Sequence, residues 1–250
     1  VHIVTGAVTS AQNIVRSCHK SGLDVSDIVL ESLASAKAVL TEEEREIGVA
    51  LIDLGGGTCD IAIFANDSIK HTGVLALGGQ NLTNDIAFGL RTPMAAAEKI
   101  KIKHGAAIAE MVRPDEYIEV PSVGGREPRR LSRQVLAEIC EPHMEEILTL
   151  LDQELVRSGL KNMIGAGVVL TGGTALIQGC QELGEQVFNL PTRIGYPRNV
   201  GGLKDMVNSP KFATAMGLLR FGAEKEGMEQ KFRIRSDGNV FNSILSRMKK

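Results

Sequence analysis

The feature that most limits the folds open to this 250-residue chain is a triple glycine between two apolar runs. In GVALIDLGGGTCDIAIF, the runs on either side of the glycines read as strands, so the turn of a hairpin is expected at DLGGGTCD, Asp53 to Asp60. A structural turn needs only one or two glycines. Three in succession let backbone N–H groups come close to a bound group, which suits a phosphate. The two flanking carboxylates suit a hydrated Mg²⁺.

Composition and charge argue against several classes of function. With 43% hydrophobic and 23% charged residues, the chain has the composition of a globular protein. No apolar run reaches the roughly 18 residues of a membrane span. A net charge of -2 gives no nucleic-acid footprint, so no nucleic-acid partner is expected. The cysteines lack CxxC spacing, which predicts neither a zinc site nor disulfides and fits a reducing cytoplasm; they are Cys18, Cys59, Cys140 and Cys180.

Helices and strands follow one another along the chain. Thr83 is the expected N-cap of the helix after GGQNL, and Ser132 that of a long helix ending at Arg157. The strands are expected at Val1 to Val4, in the hairpin up to about Leu77, in YIEVPSV and in VVLT. The other helices are expected at Ser10 to Ser21, in SDIVLESLASAKAVLTEEE, in MAAAEKIKIKHG, after TGG and from Phe212 to Phe221.

A second glycine turn lies later in the chain, in VVLTGGTALIQG. Gly172 and Gly173 would let backbone pass close to a ligand at a helix start, where the helix dipole favours a phosphate. One such turn is weak evidence, but two on one sheet imply a nucleotide. Between them, AEKIK places Glu98 and Lys101 three residues apart, a spacing that is usually only a surface ion pair.

The order of these parts is similar to that in the actin-like ATPases, and within them the chain resembles the FtsA family of bacterial cell-division proteins over nearly its whole length. The stretches that carry the resemblance are ESLASAKAVLTEEEREIG, DLGGGTCDIAIF, AEKIKIKHG, VPSVGGREPRRLSRQVLAEICEPHMEEIL, AGVVLTGGTALIQG and TAMGLLRFG. It implies an α/β fold of the actin-like (ribonuclease H-like) type. The implied divisions are 1–23, the end of subdomain 1C; 24–47, a connecting helix; 48–90 and 164–222, subdomain 2A; 91–163, subdomain 2B; 223–239, a linker; and 240–250, a truncated amphipathic helix.

The resemblance also implies a site for ATP and Mg²⁺. It assigns Glu98 and Lys101 to the adenosine, and Asp53 and Asp60 to the metal through water. The residues it assigns to the phosphates are Gly55, Gly56, Gly57, Thr58, Gly172 and Gly173. It names no catalytic residue, and any ATP hydrolysis is expected to be slow. The family's first phosphate hairpin, DxGxxK-like, does not occur in this chain, so we expect a piece of a longer protein that holds half of the nucleotide cleft.

The implied partners are FtsZ, further copies of the protein in an actin-like filament, anionic inner-membrane lipid and other divisome proteins. The implied location is the cytoplasmic face of the bacterial inner membrane at the division site. The resemblance also implies an acidic FtsZ tail and places the FtsZ contact in subdomain 2B. The expected contact is therefore its basic loop, with Arg126, Arg129 and Arg130, and the helix from Ser132. In the terminal VFNSILSRMKK, one apolar stripe is predicted to enter the membrane interface; its residues are Phe241, Ile244, Leu245 and Met248. The alternative is a terminal helix docked on the protein itself.

The implied function is that of an ATP-binding cell-division protein that polymerises and tethers FtsZ to the inner membrane, helping to assemble the septum. One alternative is a phosphotransferase of the sugar-kinase type, which needs a general base beside a second substrate pocket, and the sequence offers no such site. Another is a pilus-assembly ATPase, which shares the cleft motifs but, by resemblance, lacks a basic amphipathic terminus.

Overall fold

A computed structural model of the chain describes residues 2–124, 126–199, 201 and 207–237. The α-helices in these ranges include α1 (Val8–Lys20), α2 (Glu31–Val39), α3 (Glu42–Ile47), α4 (Gly79–Gly89), α5 (Met94–His104), α6 (Arg133–Arg157), α7 (Cys180–Phe188) and α8 (Ala213–Asp237). The strands are β1 (Val49–Leu54), β2 (Cys59–Ala65), β3 (Ser68–Leu75), β4 (Tyr117–Val120), β5 (Arg129–Ser132), β6 (Val168–Thr171) and β7 (Thr192–Ile194).

The main sheet has the strand order β3-β2-β1-β6-β7. Strands β1, β2 and β3 form an antiparallel meander, whereas β6 and β7 run parallel to β1. The glycine loop joins β1 to β2, as predicted, and the two strands pair so that Asp53 lies directly opposite Asp60. Since β1 and β6 are parallel neighbours, the turns that follow their carboxyl ends meet at the same edge of the sheet.

Helices cover both faces of this sheet, so β1 is buried along its whole length. Ala50, Ile52 and Leu54 share one apolar core with residues of α4, α6 and α7. Val49 and Leu51 point to the opposite face and pack with α2 and the start of α8. Because side chains alternate along a strand, Asp53 falls on this second face, toward α2 and α8.

Residues 92–159 form an insert between α4 and β6 that contains α5, the β4–β5 hairpin and α6. Ser132 caps α6, since its hydroxyl accepts a hydrogen bond from the backbone N–H of Gln134 at 3.2 Å. One face of α6 is an apolar stripe. Its buried members are Leu136, Met144, Ile147, Leu148 and Leu151, with Ile139 partly buried against them. This stripe belongs to the same core as β1, so one continuous core joins the insert to the main sheet.

Several sequence predictions of secondary structure are wrong in detail. No strand forms at residues 2–7, because a strand needs a hydrogen-bonding partner and the described residues provide none there. The single helix predicted in SDIVLESLASAKAVLTEEE is two helices, because Thr41 and Glu44 form a capping box that starts α3. The short strand β7 was not predicted.

Two further differences concern helix ends and the basic loop. The last helix, predicted to stop at Phe221, continues to Asp237, so most of the expected linker 223–239 is helical. Arg129 and Arg130, predicted in a loop, lie in β5 and pair with β4. The predicted membrane-contacting residues lie outside the described residues: Phe241, Ile244, Leu245 and Met248. Within the described ranges, no helix combines the length and apolar character needed to cross a membrane.

Candidate functional site

The glycine loop is held from one side by α4. The carbonyl of Gly55 accepts hydrogen bonds from the N–H of Gly79 at 3.0 Å and from the hydroxyl of Thr174 at 2.9 Å. The carbonyl of Gly56 accepts one from the N–H of Gln80 at 2.7 Å. In a trans peptide unit the C=O and the following N–H point in opposite directions. The N–H groups of Gly56 and Gly57 therefore point away from α4, toward the open side of the loop.

The open side of the loop has room for a bound group. A Cβ atom added to Gly56 or Gly57 would meet no atom within 4 Å, so these two positions are open. At Gly55, by contrast, a Cβ would lie 2.8 Å from the carbonyl oxygen of Thr58, and at Gly78 it would lie 2.7 Å from that of Gly56. The fold itself thus requires Gly55 and Gly78, whereas the other two glycines leave free space lined by backbone N–H donors.

Three carboxylates gather beside this space. Asp53 is only 5% exposed and Asp60 is half-buried, and Glu31, the first residue of α2, lies near both. Burial raises the pKa of Asp53, and the charge of Asp60 adds to the rise while the hydroxyl of Ser35 opposes it. Burial also raises the pKa of Asp60. For Glu31, desolvation and then the charges of Asp60 and Asp53 raise the pKa. Burial is thus the largest cause of all three shifts, and neighbouring carboxylates add to it for Asp53 and Glu31.

We expect Asp60→Asn to raise the melting temperature of the free chain at neutral pH. Like charges directly opposite on paired strands destabilise a sheet by up to about 1 kcal/mol. Because the folded-state pKa of Asp60 is raised, ionisation costs stability as the pH rises through that pKa, and the gain should vanish below about pH 3, where the folded and unfolded states are both protonated. Thermal melts at both pH values, with exposed Asp24→Asn as control, measure this. A lower melting temperature for Asp60→Asn at neutral pH would contradict the charge argument.

Two hydroxyl groups hold Asp53 in place. The hydroxyl of Ser35 in α2 donates to Oδ2 of Asp53 at 2.7 Å, and that of Thr214 in α8 donates to the same oxygen at 3.3 Å. The two hydroxyls also lie 2.9 Å from each other. Ser35, Thr214 and Glu31 were not predicted from the sequence. The spacing of Glu31 and Ser35, four residues apart on one helix face, is the signal that could have found two of them.

The second glycine turn packs against the first strand. Gly172 has a left-handed φ of +89°, and a Cβ there would lie 2.4 Å from Oδ1 of Asp53 and 2.5 Å from the carbonyl oxygen of Leu54. Gly173 is exposed, and a Cβ at this position would approach only Lys211, at 3.9 Å. The structure therefore brings both glycine turns and both aspartates together at one edge of the sheet.

Glu98 and Lys101 form a partly buried pair, not a surface one. The Lys101 side chain is almost fully buried, and its ammonium lies 2.7 Å from Oε2 of Glu98. It also donates to the carbonyl of Gly79 and to the hydroxyl of Thr83, both at 2.8 Å. Burial opposes ionisation of Glu98, but the hydrogen bonds from Lys101 and Thr83 bring its pKa below the usual range. Lys101 thus ties α5 to the first turn of α4, which holds the glycine loop.

Thr83 has a different place from the one predicted. It lies inside α4, which begins at Gly79, and its hydroxyl bonds to the carbonyl of Gly79 and to Glu98. The helix starts earlier because its first N–H groups bind the carbonyls of the glycine loop. The side chain of Asn81 accepts the N–H of Gly78 at 3.1 Å, so Asn81 supports the helix start that had been expected of Thr83.

The three arginines predicted to form one basic surface are separated. Arg130 lies opposite Glu119 in the β4–β5 hairpin, and its guanidinium stacks on the ring of Tyr117 at 4.2 Å. Arg129 is on the opposite face of β5 and donates to the carbonyl of Leu90 at the end of α4. Arg126 donates to the carbonyl of Val123 within the loop, at 3.3 Å. A single cluster of these side chains is therefore not present.

Comparison with known proteins now adds to this geometry. The family model for Cell division protein FtsA matches residues 50–217, a span that contains both glycine turns and the Glu98–Lys101 pair. The chain belongs to the FtsA family. The resemblance found in the sequence is thereby confirmed at the level of the family.

Relatives of this FtsA-family chain include the cell division proteins FtsA of Pseudomonas aeruginosa and Escherichia coli K12. The first is 52% identical over 226 residues, which cover 90% of this chain and 54% of the relative. The second is 44% identical over 231 residues, which cover 90% of this chain and 55% of the relative. The chain therefore spans about half the length of these FtsA proteins.

Solved structures show the fold of this FtsA-family chain. MreB5 of Spiroplasma citri bound to ADP matches with a TM-score of 0.71 and 21% identity, over 90% of this chain and 68% of that protein. The MamK double helical filament matches with a TM-score of 0.64 and 16% identity, over 87% of this chain and 66% of that protein. The predicted fold, an α/β fold of the actin-like type, is confirmed.

Proposed function

We propose that this FtsA-family chain holds one wall of a site for ATP and Mg²⁺ in a cell-division protein. The observation that carries the proposal is the glycine loop: its carbonyls face α4 while the N–H groups of Gly56 and Gly57 face open space. Backbone donors on a loop of small residues are the arrangement that binds phosphates. That MreB5, with the same fold, has been solved bound to ADP supports a nucleotide as the ligand.

The residues beside the loop fit the remaining parts of the ligand. Asp53 and Asp60 are hard oxygen donors that lie directly opposite each other on β1 and β2, so they suit a hydrated Mg²⁺. Such an ion would neutralise charge on the phosphates. As in the family resemblance, we propose that the two aspartates contact the ion through water. Within the described residues, no three His, Cys, Asp or Glu side chains are grouped to hold a metal directly. We propose that the phosphates lie between the loop and the turn at Gly172 and Gly173.

The Glu98–Lys101 pair is proposed to serve the adenosine in two different ways. Glu98 is half-buried and keeps a carboxylate able to accept ribose hydroxyls. The ammonium group of Lys101 already contacts Gly79, Thr83 and Glu98. Its proposed role is therefore to position α4 and Glu98. Glu31 is a further carboxylate near the proposed phosphates, and no hydrolytic step is assigned to it.

Amide hydrogen exchange tests this placement of the nucleotide. The protein to use is the completed protein, meaning this chain preceded by the upstream segment that the FtsA resemblance implies. With saturating Mg-ATP, exchange should slow at the amides of 55–58 and 172–174 and in the peptide that contains Glu98. Peptides from β4 and β5, far from both turns in sequence and fully formed without ligand, serve as the internal control. Protection confined to other segments would contradict the proposed site.

We further propose the cellular role of FtsA for the completed protein: it polymerises, contacts FtsZ through the insert and tethers it to the cytoplasmic face of the inner membrane with other divisome proteins. The MamK filament supports self-assembly as a property that this fold allows. The sequence pattern of Phe241, Ile244, Leu245 and Met248, with Lys249 and Lys250 beside it, supports contact with anionic lipid. A nucleotide switch of this kind needs domain closure more than rapid turnover.

A further inference from the structure

A largely buried guanidinium group lies where the insert meets the segment after the second glycine turn. Arg133 is the first residue of α6, and its side chain is only 14% exposed. Its Nε donates to the carbonyl of His104 at 2.8 Å. Its Nη1 donates to Oε2 of Glu116 at 2.5 Å, and its Nη2 donates to Oε1 of Gln178. The planar fork of arginine thus holds three partners in one fixed arrangement.

Two of these partners lead to different parts of the proposed nucleotide site. His104 is the last residue of α5, the helix that carries Glu98 and Lys101. Gln178 lies five residues after the second glycine turn, and its own backbone is held by the insert, because the N–H of Ala107 donates to its carbonyl at 2.7 Å. One side chain therefore connects the helix proposed to serve the adenosine with the segment that follows the phosphate turn.

The segment between the second glycine turn and Gln178 is short and internally hydrogen-bonded. Residues 174–176 form one turn of 3₁₀ helix, and the N–H of Ile177 donates to the carbonyl of Thr174 at 3.2 Å. The hydroxyl of Thr174 donates to the carbonyl of Gly55 in the glycine loop at 2.9 Å. A shift of Gln178 would therefore move the second turn against the glycine loop.

The ion pair with Glu116 holds the guanidinium group itself in place. The N–H of Arg133 donates to the carbonyl of Glu116 at 2.9 Å, so the two residues are joined through backbone as well as side chain. The side-chain hydrogen bond from Arg133 is the largest cause that brings the pKa of Glu116 below its usual range. Glu116 belongs to the insert, so Arg133 is anchored there while it reaches Gln178.

We propose that Arg133 is a positioning residue that sets the separation between the adenosine part and the phosphate part of the nucleotide site. The inference rests on the proposed nucleotide function and adds to that site a residue that does not touch the ligand. A ligand that spans both parts should depend on this separation, whereas a ligand confined to the phosphate part should not. Lysine could not replace Arg133, since an ammonium group lacks the planar fork.

The test compares Mg-ATP, which spans both parts, with magnesium tripolyphosphate, which has no adenosine, by calorimetric titration of the completed protein. Arg133→Gln should weaken Mg-ATP binding at least about tenfold and leave tripolyphosphate binding within about twofold, since only the spanning ligand needs both parts held in place. Gln178→Ala should also weaken Mg-ATP binding. Added to Arg133→Gln it should cost no more than about twofold further, because both changes remove the same contact.

The matched control is Asp152→Asn at the other end of α6. It removes an ion pair of comparable burial, in which the Lys161 ammonium lies 2.6 Å from Oδ1 of Asp152. Both affinities should stay within about twofold of the parent, because this pair touches neither glycine turn. Circular dichroism and a thermal melt of every variant show whether it is folded.

The outcomes separate this inference from the broader proposal. A parent that binds neither ligand would refute the nucleotide site itself. If the parent binds Mg-ATP and Arg133→Gln binds it equally well, or loses both ligands to the same extent, the positioning role is wrong while the site stands. Full additivity of the two changes on Mg-ATP affinity would also overturn it, even where tripolyphosphate binds too weakly to measure. If Arg133→Gln does not fold, Gln178→Ala decides by the same comparison.

Discussion

Replacing Gly57 with valine is expected to abolish most Mg-ATP binding by the completed protein without lowering its melting temperature. In the free chain a Cβ at this position meets no atom within 4 Å, so the larger residue fits. In the complex it would occupy the space assigned to a phosphate. Forcing extra carbon atoms into a packed site typically costs about 1–3 kcal/mol. We therefore expect affinity to fall by about tenfold for Gly57→Ala and by at least about 100-fold for Gly57→Val.

The opposite signs of the two effects make this prediction specific. Gly→Ala at a position with compatible backbone stabilises a protein by about 0.4–1 kcal/mol, because the unfolded chain loses freedom. The control is Gly222→Val in α8, where a Cβ also meets nothing within 4 Å. Calorimetric titration gives the affinity and a thermal melt gives the stability. Unchanged affinity for Gly57→Val would show that the open side of the loop is not the phosphate site.

Elements with strong local signals could be predicted from the sequence. The hairpin around the triple glycine is specified by two apolar runs and by a turn in which Gly55 has no room for a side chain. Helix α5 ends at His104, just before Gly105, and α6 starts directly after its N-cap, Ser132, and carries a regular apolar stripe, as expected from caps and periodicity. In each case the residues that decide the structure are neighbours in sequence.

The start of α4 could not be predicted because tertiary contacts set it. A hydroxyl residue is the usual N-cap, which pointed to Thr83. The helix begins at Gly79 instead, since the glycine loop supplies carbonyls to its first N–H groups from more than twenty residues away in sequence. Thr83 then becomes a buried partner of Lys101. The same long-range contacts convert an apparent surface pair, Glu98 and Lys101, into a buried connection.

The arrangement of charged groups around the site could likewise not be predicted from local sequence patterns. Successive side chains of a β-strand point to opposite faces of the sheet, and Arg129 and Arg130 are successive residues of β5. These adjacent arginines therefore do not form one surface. Glu31 and Ser35 reach Asp53 only because α2 packs across the carboxyl end of β1.

The nucleotide cleft is proposed to have two walls, and this chain supplies one. The proposed contacts, from the loop at 55–58, the turn at Gly172 and the Glu98–Lys101 pair, would reach a nucleotide from a single side. The chain alone should therefore bind Mg-ATP at least about 100-fold more weakly than the completed protein, a difference of about 2.7 kcal/mol. The physical reason is that an open wall leaves the ligand's other side in water and omits half of its partners.

Calorimetric titration of Mg-ATP into the 250-residue chain and into the completed protein tests the central claim most directly. Circular dichroism of the short chain first establishes that it is folded under the conditions used. We predict saturable one-to-one binding by the completed protein, and weak binding by the short chain that disappears in Gly57→Val. Equally tight binding by both proteins would contradict the two-walled cleft, and no binding by the completed protein would contradict the nucleotide site itself.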